Sequence, residues 1–452
     1  MGKASEKFMN IKLVKTLVNI WKIEDLRMRL GITLMFVAIY RFGSYVVLPG
    51  VNTEALQNLT NQTASGLMSL LDMFSGGAFS KASIFALGIM PYISASIVMQ
   101  LLGIAVPYFQ KMQREGESGR RKMNQYTRYL TVLILIFQAP AYLINLRMQT
   151  AGQALYPSLN WNVFLFTSTI ILAAGSMFIL WLGERITDKG IGNGVSLIIM
   201  IGIIARFPSA FGQELVTRFT TPQGGGLVIF LLEIIVFLAV IAAAILLVQG
   251  VRQVPVNYAK RISGSRQIGG ARQYIPLKPY AANVMPIIFA QAIMFLPITV
   301  ASYAAGGKTG PVLTQLMDNT SWTYNIIFAV LIVLFTYLYT AITINPVQMA
   351  EDMKRNNGFI PGVKPGKDTA DYIDKIMSLI TFPGSLFLAL IAVMPAFAGF
   401  FGIQREFAQF FGGTSLLILV GVVLDTLQQI ESHLLMRHYD GLLDSGRVRG
   451  EH

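Results

Sequence analysis

The chain has 452 residues, of which 54% are hydrophobic and only 13% are charged, with a formal net charge of +13 and no cysteine. This composition is typical of a membrane protein with several spans. The absence of cysteine excludes disulfides, thiolate metal sites and cysteine nucleophiles. The three histidines, His433, His438 and His452, lie at the C-terminal end without the spacing of a metal site, so no metal or cofactor is expected.

Residues 1–29 precede the first apolar run and form a predicted amphipathic helix on the cytoplasmic membrane surface. Apolar residues occupy one helical face and lysines the other, namely Ile11, Val14, Leu17, Val18 and Trp21 against Lys12, Lys15 and Lys22. A basic tail without fixed structure is the alternative. No cleavable signal peptide is expected, because this stretch has no uninterrupted apolar core.

A helix that crosses a bilayer needs about 20 mostly apolar residues. Ten stretches of the chain fit this template, although the fifth is short. They are residues 30–48, 83–104, 125–146, 163–183, 192–206, 227–248, 282–303, 323–345, 375–397 and 414–434. The sequence therefore predicts an all-α polytopic membrane protein of ten transmembrane helices, followed by a cytoplasmic tail, 435–452.

Basic residues fix the predicted orientation. If the spans alternate from an inside N-terminus, all but seven of the 36 Lys and Arg residues lie in inside segments. The seven are Lys81, Arg147, Arg206, Arg218, Lys308 and Arg405 outside, and Arg41 within the first span. This positive-inside bias predicts that both termini are cytoplasmic.

Two pairs of spans resemble each other. The pattern aliphatic, Met, Pro, any residue, Ile, any residue, Ala occurs at 89–95 and again at 284–290. The stretch GVSLII at 194–199 has its counterpart in GTSLLI at 413–418. Pairing span two with seven and span five with ten predicts two pseudo-symmetric inverted five-helix halves, 30–206 and 227–434, with the working site at interrupted helices near the midplane.

The matched segments place isoleucines at equivalent positions, Ile93, Ile199, Ile288 and Ile418. A midplane lined by aliphatic side chains suits a constriction that closes by excluding water. Ordinary packing between helices is the alternative. A secondary transporter would need ionisable groups at this depth, of which Glu233 is the clearest, and its carboxylate is expected to pair with a neighbour such as Arg41. An intramembrane enzyme is a third alternative, but the chain has no H-E-x-x-H or G-x-S-x-G pattern.

Five stretches closely resemble the bacterial SecY family, the central subunit of the Sec protein-conducting channel. They are SGGAFSKASIFALGIMPYISASI (75–97), EGESGRRK (115–122), GERITDKGIGNGVSLII (183–199), NPVQMAEDMKRNNGFIPGVKPG (345–366) and GGTSLLI (412–418). The resemblance covers essentially the whole chain in order. It implies a channel, not an enzyme, that translocates unfolded secretory proteins across the inner membrane and inserts membrane proteins through a lateral gate.

The resemblance also assigns the short apolar segment before the second span. It implies a plug helix, 67–74, in the external funnel, with apolar residues Leu67, Met68, Leu70, Leu71 and Phe74. An apolar helix of this length at membrane depth requires protein or a water-filled cavity around it. Gly76 and Gly77 are expected to form its hinge. A helix resting on the outer surface is the alternative.

The pore ring of the family corresponds to Ile89, Ile93, Val195, Ile199, Ile288 and Ile418. Val195 is smaller than the isoleucine usual in the family, so the seal is expected to be looser there or completed by the plug. The resemblance implies a lateral gate between spans two and three and spans seven and eight. Gln138 is a candidate gate contact, although ordinary interhelical hydrogen bonding explains it equally well.

Two cytoplasmic loops, 249–280 and 346–374, are predicted docking surfaces for partners. Their candidate contacts are Arg252, Lys260, Arg261, Arg266, Arg272, Arg355 and Lys364. Topology alone is the alternative explanation for these charges. Lys364 replaces the arginine of the family pattern and lacks its planar fork. The resemblance implies the motor ATPase SecA, the ribosome, the small subunits SecE and SecG, precursor proteins and membrane lipids as partners.

Overall fold

The computed structural model describes residues 23–52, 72–149, 156, 160–220, 226–258, 261–263, 266–268, 272–278, 285–291, 293–294, 315 and 321–445. Helices dominate these residues. They separate into two compact units, one holding the described residues up to Pro208 and from Val422 onward, the other those from Ser209 to Gly421. Two helices continue across the division, one at Pro208 and one at Val422.

The first unit contains the helices of the N-terminal half. They are α1 (Glu24–Gly43), α2 (Met90–Ala105), α3 (Pro107–Arg114), α4 (Glu117–Gln149), α5 (Trp161–Lys189) and the first part of α6 (Gly194–Thr220). One of its hydrophobic cores lies between α4, α5 and the segment before α2, and buries Leu48, Phe79, Leu135, Leu143 and Leu172.

The second unit contains the rest of α6 and the elements that follow. They are α7 (Gly226–Gln249), β1 (Arg252–Tyr258), β2 (Arg261–Ser263), β3 (Arg266–Ile268), β4 (Arg272–Leu277), α8 (Trp322–Thr343), α9 (Pro346–Arg355), β5 (Gly358–Phe359), α10 (Lys367–Phe400), α11 (Arg405–Ala408) and α12 (Gly413–Ser445). α12 passes into the first unit at Val422.

Seven helices of the described chain are long and apolar enough to cross a membrane, and α2 with α3, bent by 100°, is an eighth candidate. α1 has the length of a span, but charged residues near both of its ends lower its hydropathy. The predicted span 282–303 is described only at 285–291 and 293–294, which are helical. The described parts of the predicted spans are therefore mainly helical.

Three span boundaries differ from the sequence prediction. α1 ends at Gly43 and α2 begins only at Met90, because the chain around Val47 pairs with that around Ser83 in an isolated β-bridge. The fifth span is not short: α6 continues through Pro208 to Thr220 and is 27 residues long. The polar residues beyond 206 led us to expect a loop, but they extend the helix.

A small β-sheet joins the two predicted docking loops, and the sequence analysis missed it. β1 pairs antiparallel with β4, from Arg252 with Leu277 to Asn257 with Arg272, and pairs antiparallel with β5 on its other side. Val254, Val256 and Leu277 bury one face of the sheet against α9 and α10. Their alternation with polar residues is the period of a half-buried strand.

Candidate functional site

The start of α6 presents two predicted ring residues, Val195 and Ile199, in its first turns. Asn193 caps this helix: its side-chain Oδ1 accepts a hydrogen bond from the Val195 N–H at 3.1 Å. Thr187 Oγ1 accepts one from the Gly194 N–H at 2.9 Å. Ile199 is buried and Val195 is half-buried. The ring segment of α6 thus begins at a capped, fully bonded helix terminus.

The start of α12 resembles that of α6 in its close approach to the preceding helix. α6 begins at Gly194 and α12 at Gly413, the matched glycines. A Cβ on Gly194 would overlap the Gly183 carbonyl oxygen of α5. In α12 the crowded position is one residue earlier, since a Cβ on Gly412 would overlap the Ile391 carbonyl oxygen of α10, whereas Gly413 is not crowded by backbone. In both halves a glycine at or next to the start of the last helix therefore allows close contact with the backbone of the helix before it.

The remaining ring residues lie on other helix starts. Ile89 is the residue before α2, whose first turn contains Pro91, and it is buried. Ile93 and Ile288 are half-buried and helical, and Ile418 is buried in α12. Ile89, Ile93, Val195 and Ile199 belong to the first unit, and Ile288 and Ile418 to the second. Among the described helix starts, α2 has Pro91 in its first turn, and α6 and α12 begin at glycine.

The plug residues Leu67, Met68, Leu70 and Leu71 lie outside the described residues. Phe74 is described: it ends a short helical stretch, 72–74, and is buried. The chain after it is held by three hydrogen bonds from two helices of the first unit, α1 and α4. The donors and acceptors are Tyr40 Oη to Ser75 O (3.2 Å), Arg41 Nη1 to Gly76 O (3.1 Å) and Tyr142 Oη to Phe79 O (2.8 Å).

Gly76, one of the two predicted hinge glycines, lies in a crowded place. Its φ of +65° requires glycine, but a Cβ there would lie 2.6 Å from Arg41 Nη1 and 2.9 Å from the Cα of Gly202. Gly77, with φ +86°, has open space around it. Gly76 is therefore needed for a close approach between this segment and α6 rather than for freedom of movement.

Gln138, the candidate gate residue, lies half-buried on α4. Its neighbours Ile136 and Phe137 are exposed. The position on a helix with a wide apolar exposed face agrees with a residue near lipid or near another membrane segment.

The predicted docking residues lie on and around the small sheet. Arg252 is exposed at the start of β1, and Arg272 is on β4. Arg261 and Arg266 are on the β2–β3 hairpin, while Lys260 lies outside the described residues. Arg355 and Lys364 are exposed on either side of β5. The sheet thus brings residues from the two predicted loops onto one structural element.

Glu233 takes part in a buried ionic cluster that the sequence analysis did not foresee. Its partner is Arg218 and not Arg41. Arg218 also bonds to Glu214 Oε1 at 2.7 Å and to the Gly402 carbonyl at 3.0 Å. Glu214 Oε2 accepts the N–H of Gln404 at 2.8 Å. The i, i+4 spacing of Glu214 and Arg218 was a sequence signal for the ion pair between these two residues.

The Glu214–Arg218–Glu233 cluster carries two carboxylates and one guanidinium. All three side chains are at most 8% exposed. Glu233 Oε2 is buried and has no hydrogen-bond partner among the described residues. An isolated charge in a buried site is costly, so the three side chains neutralise one another. The cluster is a structural contact between α6, α7 and the α10–α11 connection rather than a chain of proton carriers.

A polytopic helical fold with aliphatic side chains at its interrupted helices, and with no charged residue among the six matched ring positions, is that of a membrane channel. The SecY family model matches residues 83–427. The chain belongs to the SecY family, whose members are subunits of the protein translocase.

Curated relatives match along almost the full length. The protein translocase subunit SecY of Halalkalibacterium halodurans is 42% identical over 441 residues, which cover 95% of this chain and 100% of the relative. That of Thermotoga maritima is 38% identical over 440 residues, 96% of this chain and 98% of the relative. The chain is therefore a protein-conducting channel subunit of a translocase, and it belongs to a family of channels rather than enzymes.

Solved structures of low sequence identity share the fold. A structure described as that of a protein conducting channel is 18% identical, with a TM-score of 0.55, over 94% of this chain and 95% of the other. Sec61 in a canine ribosome-channel complex is 18% identical, with a TM-score of 0.58, over the same shares. These likenesses confirm the predicted architecture of ten helices in two inverted halves with a plug.

Proposed function

We propose that Ile89, Ile93, Val195, Ile199, Ile288 and Ile418 form the constriction through which polypeptides pass. The observation that supports this proposal is the similar start of α6 and α12. Their first turns hold Val195, Ile199 and Ile418, and a glycine at or next to each start, Gly194 or Gly412, lies against the backbone of the preceding helix. Aliphatic side chains bind no passing residue strongly and exclude water when they meet. Both properties suit a channel for unfolded chains of any sequence.

The plug and the lateral gate complete the proposed mechanism. Residues 67–74 close the constriction from outside, and the gate beside Gln138 lets apolar segments pass sideways into lipid. A signal sequence displaces the gate helices, the plug leaves, and the ring fits itself around the chain. Because the chain itself holds no recognised nucleotide motif, the energy comes from a partner or from the membrane potential.

The partner surface is the small sheet with its neighbouring turns. Arg252, Lys260, Arg261, Arg266, Arg272, Arg355 and Lys364 would meet acidic groups of the SecA motor or phosphates of ribosomal RNA. One structural neighbour is described in a ribosome-channel complex. SecE and SecG complete the channel, lipids surround it, and the protein lies in the inner membrane with both termini in the cytoplasm, as the distribution of basic residues indicates.

Crosslinking tests the path of the polypeptide, and the absence of native cysteine makes it clean. A cysteine replaces Ile93 or Ile288, and a second is placed in a secretory chain stalled halfway across. Ile235→Cys is the matched control, because this isoleucine lies midway along α7 and is 64% exposed. Disulfides at Ile93 and Ile288 but not at Ile235 are expected. Stalled chains that crosslink at neither ring position would favour a transporter.

The ring itself is tested by Ile288→Asn. An amide wets the constriction and weakens the closed state, so the variant is expected to accept precursors with defective signal sequences. The measurement is the rate at which vesicles containing the variant import such precursors, with Ile235→Asn as the control. Unchanged rejection in Ile288→Asn would count against the ring.

Docking is tested by reversing charge at the sheet. Arg355→Glu and Lys364→Glu are expected to weaken motor or ribosome binding, with a salt dependence lower than that of the natural protein. Arg120→Glu, an exposed cation on α4, is the control. Equal binding by all three variants would leave topology as the explanation of the charges.

A further inference from the structure

Asp72 is a buried carboxylate that no proposed pore, gate or docking role uses. Its side chain is 2% exposed and forms an ion pair with Arg206 of α6, with 2.7 Å between Oδ2 and Nη1. The other carboxylate oxygen, Oδ1, accepts the N–H of Ser80 at 2.8 Å. Both oxygens therefore have partners, one on α6 and one eight residues along the same chain.

The segment that Asp72 organises is a compact turn, residues 72–80. The Asp72 carbonyl accepts the Gly77 N–H at 2.8 Å and the Ser75 hydroxyl at 3.1 Å. Gly202, one turn before Arg206, leaves room for the Phe74 carbonyl, because a Cβ on it would lie 2.8 Å away. Together with the bonds from α1 and α4, these contacts attach the turn to three helices of the first unit.

We infer that the Asp72–Arg206 ion pair anchors residues 72–80 to the first half of the channel in both its closed and its conducting states. The inference deepens the proposed function, since it assigns a positioning residue pair to the proposed plug. The plug then moves only up to residue 71, and the turn after it remains in place. Arg206 and Asp72 act through the plug and line no part of the proposed ring.

The physical reason is the cost of separating a buried pair. Moving the turn away from α6 would leave the Asp72 carboxylate without its cation, in a place where it is nearly inaccessible to water. It would also expose the close contact that Gly76 and Gly202 make possible. A pivot before Asp72 leaves all of these contacts intact.

A double-mutant cycle tests the closed state. Asp72→Asn removes the charge and keeps an oxygen for Ser80, and Arg206→Gln removes the cation. Each is expected to raise import of a defective-signal precursor about tenfold, the order expected for losing a hydrogen bond between charged groups. The combined variant is expected to match the singles. Arg206→Lys, which keeps one charged nitrogen for the single Oδ2 contact, is expected to stay near the natural protein.

Two further variants separate failure of this inference from failure of the proposed ring. Ile288→Asn is the positive control, and Arg405→Gln, an exposed arginine, is the negative one. If the Asp72 and Arg206 variants reject the defective-signal precursor while Ile288→Asn imports it, the anchor is overturned and the ring is kept. If the Asp72 and Arg206 variants import this precursor while Ile288→Asn rejects it, the anchor is supported and the ring is rejected.

Crosslinking tests the conducting state. With Asp72→Cys and Arg206→Cys, a short bifunctional thiol reagent should join the two positions. A direct disulfide is not expected, because the long arginine side chain and the ion-pair contact at its end now separate the two backbones. Translocation of an intact precursor at the rate seen with a monofunctional reagent is the expected result. A block that appears only in the bridged protein would overturn the stationary anchor, and so would failure to bridge when both thiols react singly.

Discussion

Two arginines of α6, the half-buried Arg206 and the buried Arg218, are neutralised in different ways. Arg206, in the first unit, pairs with one carboxylate, that of Asp72, and both oxygens of this carboxylate are bonded. Arg218, in the second unit, faces two carboxylates, and one oxygen of Glu233 is left without a partner. The first arrangement is balanced in charge, whereas the second has a formal excess of one negative charge.

The difference shows which member of each cluster is needed most. In the first arrangement, loss of Arg206 would leave the one buried carboxylate of Asp72 without this cation. In the cluster the single guanidinium holds both carboxylates, so its loss strands two charges, while Glu233 has a hydrogen-bonding site to spare.

Arg218→Ala is expected to have the largest effect. It leaves Glu214 and Glu233 buried without a cation, a change that destabilises proteins by about 3–5 kcal/mol. The measurement is the midpoint of thermal unfolding of the purified protein in detergent, with the exposed Arg405→Ala as the control. Equal midpoints for the two variants would mean that the cluster is solvated in the membrane.

Gly76→Ala comes next, and it probes the turn held by the Asp72–Arg206 pair. The variant combines strain at φ +65° with overlap against Arg41 and Gly202, together about 2–4 kcal/mol. Gly77→Ala adds a side chain in open space at φ +86° and should lose only about 1 kcal/mol. Gly212→Ala, at an uncrowded helical position, should stabilise slightly. Similar unfolding midpoints for Gly76→Ala and Gly77→Ala would show that the close approach is unimportant.

Tyr142→Phe removes one hydrogen bond from the same turn. The Phe79 carbonyl loses its donor, while the edge contact between the two rings, with centroids 4.8 Å apart, is kept. A loss of about 1–2 kcal/mol is expected because the carbonyl is buried. Tyr129→Phe, where the tyrosine is 69% exposed, should be neutral in the same unfolding measurement. An unchanged unfolding free energy in Tyr142→Phe would mean that the bond from α4 does not help to hold the turn.

Glu233→Gln is expected to have the smallest effect. The amide oxygen still accepts from Arg218, the amide nitrogen replaces an oxygen that has no partner, and the excess charge disappears. The unfolding free energy should change by less than about 1 kcal/mol. Glu214→Gln is the sharper comparison, because both oxygens of Glu214 are bonded and the amide cannot accept at both. Equal losses for the two variants would contradict the difference between the carboxylates.

The sequence was sufficient for the spans and for the repeat, because apolar length and matched motifs are local properties. It located the helix starts at Gly194 and near Gly413 for this reason. It misplaced the end of α6, since polar residues beyond Arg206 resemble a loop until their long-range partners are known. The partner of Glu233 could not be predicted, because Arg218 and Arg41 are equally plausible cations without a fold.

The sheet and the Gly76 contact were missed for different reasons. Alternation at Val254, Val256 and Leu277 was visible in the sequence, but short strands in a chain dominated by apolar helices are easily assigned to loops. The close approach of Gly76 to Gly202 has no sequence signal at all, because glycine serves equally for turns, hinges and contacts. Only the fold distinguishes these uses.

The unbroken run of α6 through Pro208 restricts how this part of the chain can change in length. Arg206 and Arg218 are twelve positions apart, about 18 Å along a helix. Deleting one residue between Arg206 and Glu214 would turn Arg218 by about 100° and shift it by about 1.5 Å, away from Glu233, while Glu214 on the same helix would move with it. The residues between Arg206 and Arg218 resemble a surface loop in sequence. Because they form a helix of fixed length, they should accept substitutions readily but not insertions or deletions.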